Sequence, residues 1–153
     1  MALFIDTFVN KVDRKGRVSV PATFRAALAG QTFNGIAALP AFRYAGVQCG
    51  SIEWMQGLID RLQNSDLYSD EHDDFTASLF PDAKQLAFDG EGRIMLPEKF
   101  AEHAGITTVA AFVGRGNLFE IWEPRTFEAY KAEARRRALE QGRTLPPRGG
   151  DSR

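Results

Sequence analysis

The chain has 153 residues and a formal net charge of −1. With 44% hydrophobic and 25% charged residues, its composition is typical of a globular protein and not of a disordered one. No stretch approaches the roughly 18 apolar residues of a membrane helix, and residues 1–13 lack the features of a signal peptide. One cysteine, Cys49, excludes an internal disulfide, and with two histidines it provides too few ligands for structural zinc. We therefore expect a cytoplasmic protein without a bound metal.

Charge is unevenly distributed along the chain. Residues 1–52 and 125–153 each carry a net charge of +4, whereas residues 53–82 carry −7 and residues 83–124 carry −2. A polyanion responds to the local potential and not to the sum over the chain. The overall charge near zero therefore does not exclude a protein that binds nucleic acid.

An internal repeat organises the chain. Residues 12–24 (VDRKGRVSVPATF) and 88–100 (FDGEGRIMLPEKF) align without a gap at an offset of 76. Because glycine and proline keep their register, we interpret the chain as a duplicated unit. Five of the thirteen positions are identical: Asp13/Asp89, Gly16/Gly92, Arg17/Arg93, Pro21/Pro97 and Phe24/Phe100.

Each copy predicts a strand, a tight turn, a second strand and a short helix. The aspartate, Asp13 or Asp89, opens the turn by accepting backbone N–H groups, and a glycine such as Gly92 closes it with a positive φ angle. The alternation over residues 18–20 predicts a half-buried strand, and the proline after it suits the first turn of a helix. The expected helices cover residues 22–29 and 98–104, with Gly30 and Gly105 at their ends.

Hydrophobic periodicity predicts the remaining elements. Further strands are expected near residues 35–39 and 47 and over 109–113 and 118–122, with helices over 53–64 and 125–141. The chain then divides into five parts: repeat 1 (4–52), an acidic helical linker (53–82), repeat 2 (83–124), a C-terminal helix (125–141) and a disordered tail (142–153).

The turn of the first repeat is rich in cations. Lys and Arg on a rigid turn suit phosphates, and an arginine also matches O6 and N7 of guanine in the major groove. The same residues fit a solvated turn in which the aspartate simply pairs with the second arginine. The candidate DNA-contacting residues of this turn are Lys11, Arg14, Lys15 and Arg17.

The turn of the second repeat has one cation and gains Glu91. This change favours a structural pair between Asp89 and Arg93, although Arg93 stays a candidate DNA contact. The acidic run 70–74 favours a solvated loop over a metal site, because no EF-hand spacing is present. No convergent nucleophile and base indicate an enzyme, so we expect no catalytic residue, cofactor or small-molecule substrate.

The pattern Asp-x-x-Gly-Arg, apolar-x-apolar, Pro-x-x-Phe resembles the swapped-hairpin motif of the AbrB-like transition-state regulators. Two copies in one chain, followed by GRGNLFEIW over residues 114–122, resemble the MraZ family of bacterial transcriptional regulators. The resemblance covers residues 4–137. It implies a mainly β fold with flanking helices (α+β), in which the duplication forms one double AbrB-like barrel of the SpoVT-AbrB, swapped-hairpin type.

The resemblance also implies a function. Proteins of the MraZ family assemble into a ring and bind short G-rich boxes. These boxes are repeated in tandem upstream of the family's own operon, in the division and cell-wall gene cluster. By this analogy the first turn, with Gly16 as a further DNA-contacting residue, binds double-stranded DNA, which places the chain at the nucleoid. Because no separate activation segment is evident, we expect repression by occlusion of the polymerase. Two alternatives stay open: an oligomeric protein-interaction scaffold that uses the acidic segment 66–82, and an enzyme built on a related barrel.

Overall fold

The computed structural model describes residues 2–64, 66 and 68–147. These residues form a mainly antiparallel β structure with flanking helices, which confirms the predicted α+β class. The strands are β1 (Thr7–Lys11), β2 (Arg17–Ser19), β3 (Gly35–Pro40), β4 (Val47–Gly50), β5 (Lys84–Ala87), β6 (Arg93–Met95), β7 (Val109–Gly114) and β8 (Phe119–Trp122). The helices are α1 (Ala22–Ala27), α2 (Ile52–Gln63), α3 (Asp70–Leu79), α4 (Glu98–Ala104) and α5 (Pro124–Glu140), and a short 3-10 turn covers Phe80–Asp82.

The two repeats exchange strands. Six strands form one antiparallel sheet in the order β1-β7-β8-β4-β3-β5, and β2 pairs with β6 in a separate two-stranded ribbon. Strand β1 of the first repeat pairs with β7 of the second, and β5 of the second repeat pairs with β3 of the first. Neither repeat therefore completes its sheet alone, and the duplicated unit folds as one body. The AbrB-like barrel that the resemblance implies stays a prediction.

Aromatic side chains fill the space beneath the ribbon. The ring of Phe24 lies 5.3 Å from that of Phe4 and 4.8 Å from that of Phe119, centroid to centroid. Val18 of β2 and Ile94 of β6 are almost completely buried against this cluster. Because side chains alternate across a strand, the remaining residues of the ribbon face outward.

A buried carboxylate organises the hairpin of β7 and β8. Glu120 is 1% exposed and accepts hydrogen bonds from Arg115 Nη1 at 2.7 Å and Trp122 Nε1 at 2.9 Å. The hydroxyl of Tyr44 donates to its second oxygen at 2.5 Å. Burial, followed by the hydrogen bond to Glu120, raises the pKa of Tyr44 to about 12, so this hydroxyl stays a donor at neutral pH.

Helix α1 ends earlier than predicted. It ends at Ala27 and not at residue 29, and the N–H of Leu28 bonds to the carbonyl of Arg25 at 3.1 Å. Gly30 has a positive φ of 96°, but it lies beyond the end of the helix. By contrast Gly105, with φ 71°, is the left-handed cap of α4, as predicted.

Helices α2 and α5 each begin and end one residue before the predicted bounds. Side chains one position upstream cap both helices. Ser51 Oγ accepts from the N–H of Trp54 at 3.0 Å, and Glu123 Oε1 accepts from the N–H of Thr126 at 2.8 Å. These caps, which satisfy free N–H groups of the first turn, fix where each helix starts.

The acidic run 70–74 begins helix α3, and the solvated loop predicted for it is wrong. The side chain of Ser69 caps the helix by accepting from the N–H of His72 at 3.0 Å. Three acidic residues then occupy the first turn, where negative charge interacts favourably with the helix dipole. The run therefore marks a helix N-terminus.

The predicted tail, 142–153, lies partly outside the described residues, and its residues 143–147 belong to no helix or strand. Within the described ranges, no helix has the length and apolar character needed to cross a membrane.

Candidate nucleic-acid interface

The first turn is closed by Asp13. Its Oδ1 accepts from the backbone N–H groups of Lys15 at 2.9 Å and Arg17 at 2.8 Å, and its Oδ2 accepts from Arg17 Nε at 2.6 Å. Gly16 has a φ of 87°, which a side chain would strain. The carboxylate therefore holds both the backbone of the turn and the guanidinium of Arg17.

The second turn has the same geometry with different charges. Asp89 Oδ1 accepts from the N–H groups of Glu91 at 2.8 Å and Arg93 at 3.0 Å, and Oδ2 accepts from Arg93 Nε at 2.8 Å. Glu91 adds a second carboxylate, 3.4 Å from Arg93 Nη2. Two carboxylates thus engage Arg93, whereas one engages Arg17.

The ribbon of β2 and β6 joins the two turns. In its antiparallel register Arg17 lies opposite Met95, and Ser19 lies opposite Arg93, so each turn precedes one end of the ribbon. The N–H of Leu96, just after β6, donates a hydrogen bond to the carbonyl of Gly16 at 2.8 Å. The N–H of Val20, just after β2, donates one to the carbonyl of Gly92 at 3.1 Å, so each turn is bonded to the strand of the other repeat. The ribbon and these hydrogen bonds therefore fix the position of one turn relative to the other.

The first turn carries three predicted DNA-contacting cations that form no ion pair within the described residues. Lys11, Arg14 and Lys15 are exposed, and among the residues that the structure describes none of them forms an ion pair. Arg17 binds Asp13 through Nε alone, so its two terminal nitrogens have no partner within the described ranges. The predicted cations of the first turn thus differ from Arg93 in their ion pairs, since two carboxylates engage Arg93.

Arg25 is a cation near the second turn that the sequence did not reveal. It is half-buried on α1, and its Nε donates to the carbonyl of Val20 at 3.0 Å. The same atom lies 2.6 Å from the position that a Cβ would take on Gly92. The counterpart of Arg25 at the offset of 76 is Ala101, and this difference between the repeats was the available signal.

The pKa values of the turn residues report the same bonds. The backbone N–H of Arg17 is the main cause that lowers the pKa of Asp13, and the N–H of Arg93 does the same for Asp89. The hydrogen bond to Asp89 is the main cause that raises the pKa of Arg93. Both carboxylates are therefore ionised at neutral pH and act as acceptors.

Acid is expected to release the first turn. Because the pKa of Asp13 in the folded chain lies below the ordinary 3.8, the carboxylate stabilises the fold above that value, and this contribution is lost as the pH falls through the lower folded pKa. A carbon-13 NMR titration of the Asp13 carboxyl checks the expectation. A midpoint below 3.8 is expected in the wild type, and a midpoint at or above 3.8 would show that the turn bonds do not form.

Known proteins match the chain over nearly its whole length. Residues 79–144 match the family model described as "MraZ protein, putative antitoxin-like". A protein of Rickettsia canadensis (strain McKiel) named "Transcriptional regulator MraZ" is 44% identical over 145 residues, which cover 95% of this chain and 97% of that protein. The chain belongs to the MraZ family. This result confirms the resemblance drawn from the two Asp-x-x-Gly-Arg turns.

Other MraZ relatives give the same result. Proteins with the same printed name from Rickettsia rickettsii (strain Sheila Smith) and Rickettsia bellii (strain OSU 85-389) are 45% and 44% identical, over 95% of this chain and 97% of their own lengths. These alignments include both repeats, whereas the MraZ family model covers the second repeat and α5. Membership of the MraZ family therefore rests on the duplicated unit as a whole.

Proposed function

We propose that the chain is a DNA-binding transcriptional regulator that represses its own operon in the division and cell-wall gene cluster. The observation that carries the proposal is the first turn, where Asp13 fixes an arginine and three nearby cations in the sequence form no ion pair with any described residue. The name of the relatives, "Transcriptional regulator MraZ", supports the same function. The chain acts at the nucleoid in the cytoplasm, without a cofactor or catalytic step.

Arg17 supplies the sequence readout in this proposal. Its Nε is occupied by Asp13, which limits the rotation of the guanidinium and leaves two terminal nitrogens for a base. A bidentate contact to O6 and N7 distinguishes guanine from the other bases by about 1–3 kcal/mol. This chemistry accounts for a preference for G-rich boxes.

Lys11, Arg14 and Lys15 supply the affinity by binding backbone phosphates. Phosphate contacts fix the position of a protein on the duplex and carry no sequence information. Asp13 does not oppose them strongly, because three N–H groups already bind its two oxygens. Gly16 allows close approach of the turn to the duplex, because it has no side chain.

Ring assembly makes weak turns sufficient. One small basic turn binds DNA weakly, and several turns on one ring engage several tandem boxes together. Such linkage raises the apparent affinity by about 10²–10⁴ without a new contact at any box. A ring and a tandem array of boxes are therefore matched features of one mechanism, and occupancy of the array blocks the polymerase.

An electrophoretic shift with the DNA upstream of the chain's own coding sequence tests the function. We expect a specific complex that survives scrambled competitor DNA and weakens steeply with salt, with a slope in log–log form of roughly −0.9 per phosphate bound. Folded, oligomeric protein that shifts neither duplex at low salt would contradict the proposal.

Lys15→Ala is expected to reduce that salt slope by about 1 while the preferred sequence stays the same, because a phosphate contact carries no base information. The matched control is Lys131→Ala on α5, an exposed lysine far along the chain from both turns. Equal slopes for the wild type and Lys15→Ala would remove Lys15 from the interface. The measurement is a salt titration of each variant on one duplex.

A scaffold that binds proteins is the second candidate. An apolar groove of about 350 Å³ runs beside α2 and α3, lined in part by Phe42, Leu58 and Phe75. The ring centroids of Phe42 and Phe75 lie 5.8 Å apart, and the side chain of Phe42 is 63% exposed. A chain that is folded and oligomeric but binds no DNA would favour this function.

A further inference from the structure

The outer face of the ribbon carries an unexpected apolar side chain. Two residues of each strand point away from the core, namely Arg17 and Ser19 on β2 and Arg93 and Met95 on β6. Met95 is 52% exposed, although its neighbours on this face are polar or charged. A nucleic acid that binds this face would meet an apolar side chain directly beside the guanidinium of Arg17.

Met95 lies against the first turn and not against the second. It is directly opposite Arg17 in the register, and its Sδ lies 3.6 Å from the position that a Cβ would take on Gly16. The N–H of the next residue, Leu96, bonds to the carbonyl of Gly16 at 2.8 Å. These contacts hold the thioether beside Gly16 of the first turn.

The other end of the ribbon lacks this combination. The counterpart of Met95 at the offset of 76 is Ser19, which lies opposite Arg93. There Arg25 covers the glycine of the turn, and two carboxylates engage Arg93. The two ends of the ribbon are thus related by the repeat but differ in chemistry, so the ribbon has a direction.

The major groove of B-DNA offers the matching surface. It accepts a two-stranded β-ribbon, and thymine is the base that presents an apolar group there, its C5 methyl. Methionine adapts to such a group because its side chain is flexible and polarizable. At the end of the ribbon next to the first turn, a guanine would match the guanidinium of Arg17, and a thymine beside it would match the thioether of Met95.

We propose that Met95 is a specificity-determining residue that contacts the C5 methyl of a thymine next to the guanine bound by Arg17. The inference rests on the proposed DNA-binding function and adds a second base to its readout. Because Ser19 replaces Met95 at the other end of the ribbon, each protomer reads its box in one orientation.

Deoxyuridine tests the contact, because it differs from thymine by that methyl group alone. The duplex is one that wild-type protein selects from random DNA, and each thymine is replaced singly. For the wild type we expect one position at which binding weakens about fourfold, the factor that corresponds to one buried methyl group. Met95→Ala should bind the thymine and deoxyuridine duplexes equally.

Three further variants control the interpretation. Ser19→Ala alters the related position at the other end of the ribbon and should keep the fourfold sensitivity. Met95→Leu keeps an apolar side chain and should also keep the fourfold sensitivity to deoxyuridine. Met95→Gln preserves the length of the side chain and should lose it, which provides a second variant if Met95→Ala does not fold.

Three results would overturn the inference. Wild-type binding that no deoxyuridine changes would exclude a thymine contact, and a Met95→Ala variant that keeps the sensitivity would assign it to another residue. A Met95→Ala variant that loses its oligomeric state would place Met95 between copies of the chain. Failure of the wild type to select any duplex is a different result, because it contradicts the proposed function itself.

Discussion

Replacing Arg17 with alanine is expected to reduce binding at a G-rich box to the level of scrambled DNA, while the oligomer stays intact. The variant removes the two guanidinium nitrogens that have no partner among the described residues. Each lost bidentate contact corresponds to about 1–3 kcal/mol of discrimination. If a ring engages several boxes together, as proposed, the loss at each box multiplies across the assembly. Electrophoretic shifts with specific and scrambled duplexes measure the effect.

The turn itself should survive this substitution. Asp13 Oδ1 binds the backbone N–H groups of residues 15 and 17, and alanine retains both groups. The pKa of Asp13 should stay lowered in Arg17→Ala, because the backbone N–H of residue 17 is its main cause. Loss of DNA binding with this pKa unchanged would therefore report a lost contact and not a disordered turn.

Arg93→Ala is the matched control because it removes the equivalent residue of the second repeat. Arg93 is engaged by two carboxylates, so its loss should change DNA binding far less than the loss of Arg17. Arg17→Lys separates the two ways of binding DNA, since lysine keeps the charge but loses the bidentate geometry. An Arg17→Ala variant as tight and specific as the wild type would show that the first turn is not the readout element.

Replacing Glu120 with alanine is expected to lower the free energy of unfolding by about 3 kcal/mol. The substitution leaves the buried N–H of Trp122 and the hydroxyl of Tyr44 without their acceptor, and it removes the partner of Arg115. Unsatisfied buried polar groups cost more than the original hydrogen bonds contributed. Urea unfolding monitored by tryptophan fluorescence gives the measurement.

Glu128→Ala is the control for that prediction, because Glu128 is an exposed glutamate of α5 with one weak ion pair. We expect its effect to stay within about 0.5 kcal/mol. A double-mutant cycle with Tyr44→Phe should show coupling, since the two residues share one hydrogen bond. A Glu120→Ala variant as stable as Glu128→Ala would show that the cluster does not stabilise the hairpin.

The repeat allowed much of the fold to be predicted from the sequence. Identical Asp, Gly and Pro positions located both turns, both ribbon strands and the helices after them, because these residues have strong local preferences. The pairing of β1 with β7 and of β5 with β3, which exchanges strands between the repeats, follows from no local preference and was not predicted. The α3 helix was missed because its signal, Ser69 before an acidic turn, resembles that of a solvated loop.

The sequence predicted those parts of the candidate site that depend on the type of a single residue. The cations of the first turn are visible in the sequence because each is charged whatever its surroundings. The roles of Arg25 and Met95 depend on which residue lies across the ribbon, and the register of β2 with β6 comes from tertiary structure. A residue-by-residue comparison of the two repeats contains part of this information, since both positions differ between them.

The same asymmetry connects the structure to the proposed function. Two related turns on one ribbon share their hydrogen bonds, but one carries free cations and the other carries Glu91. In the proposed function one protomer offers a single DNA-binding turn, and the number of boxes engaged depends on the number of protomers. This arrangement explains why a tandem array of boxes suits an oligomer of this chain.

Methylation of guanine N7 by dimethyl sulfate, mapped across the DNA upstream of the chain's own coding sequence, tests the central claim most directly. We expect wild-type protein to protect guanines in several short, evenly spaced segments, because Arg17 occupies N7 in the major groove. Arg17→Ala at a concentration that still coats the DNA should leave these guanines reactive. Bound wild-type protein that leaves every guanine as reactive as in free DNA would contradict readout through the first turn.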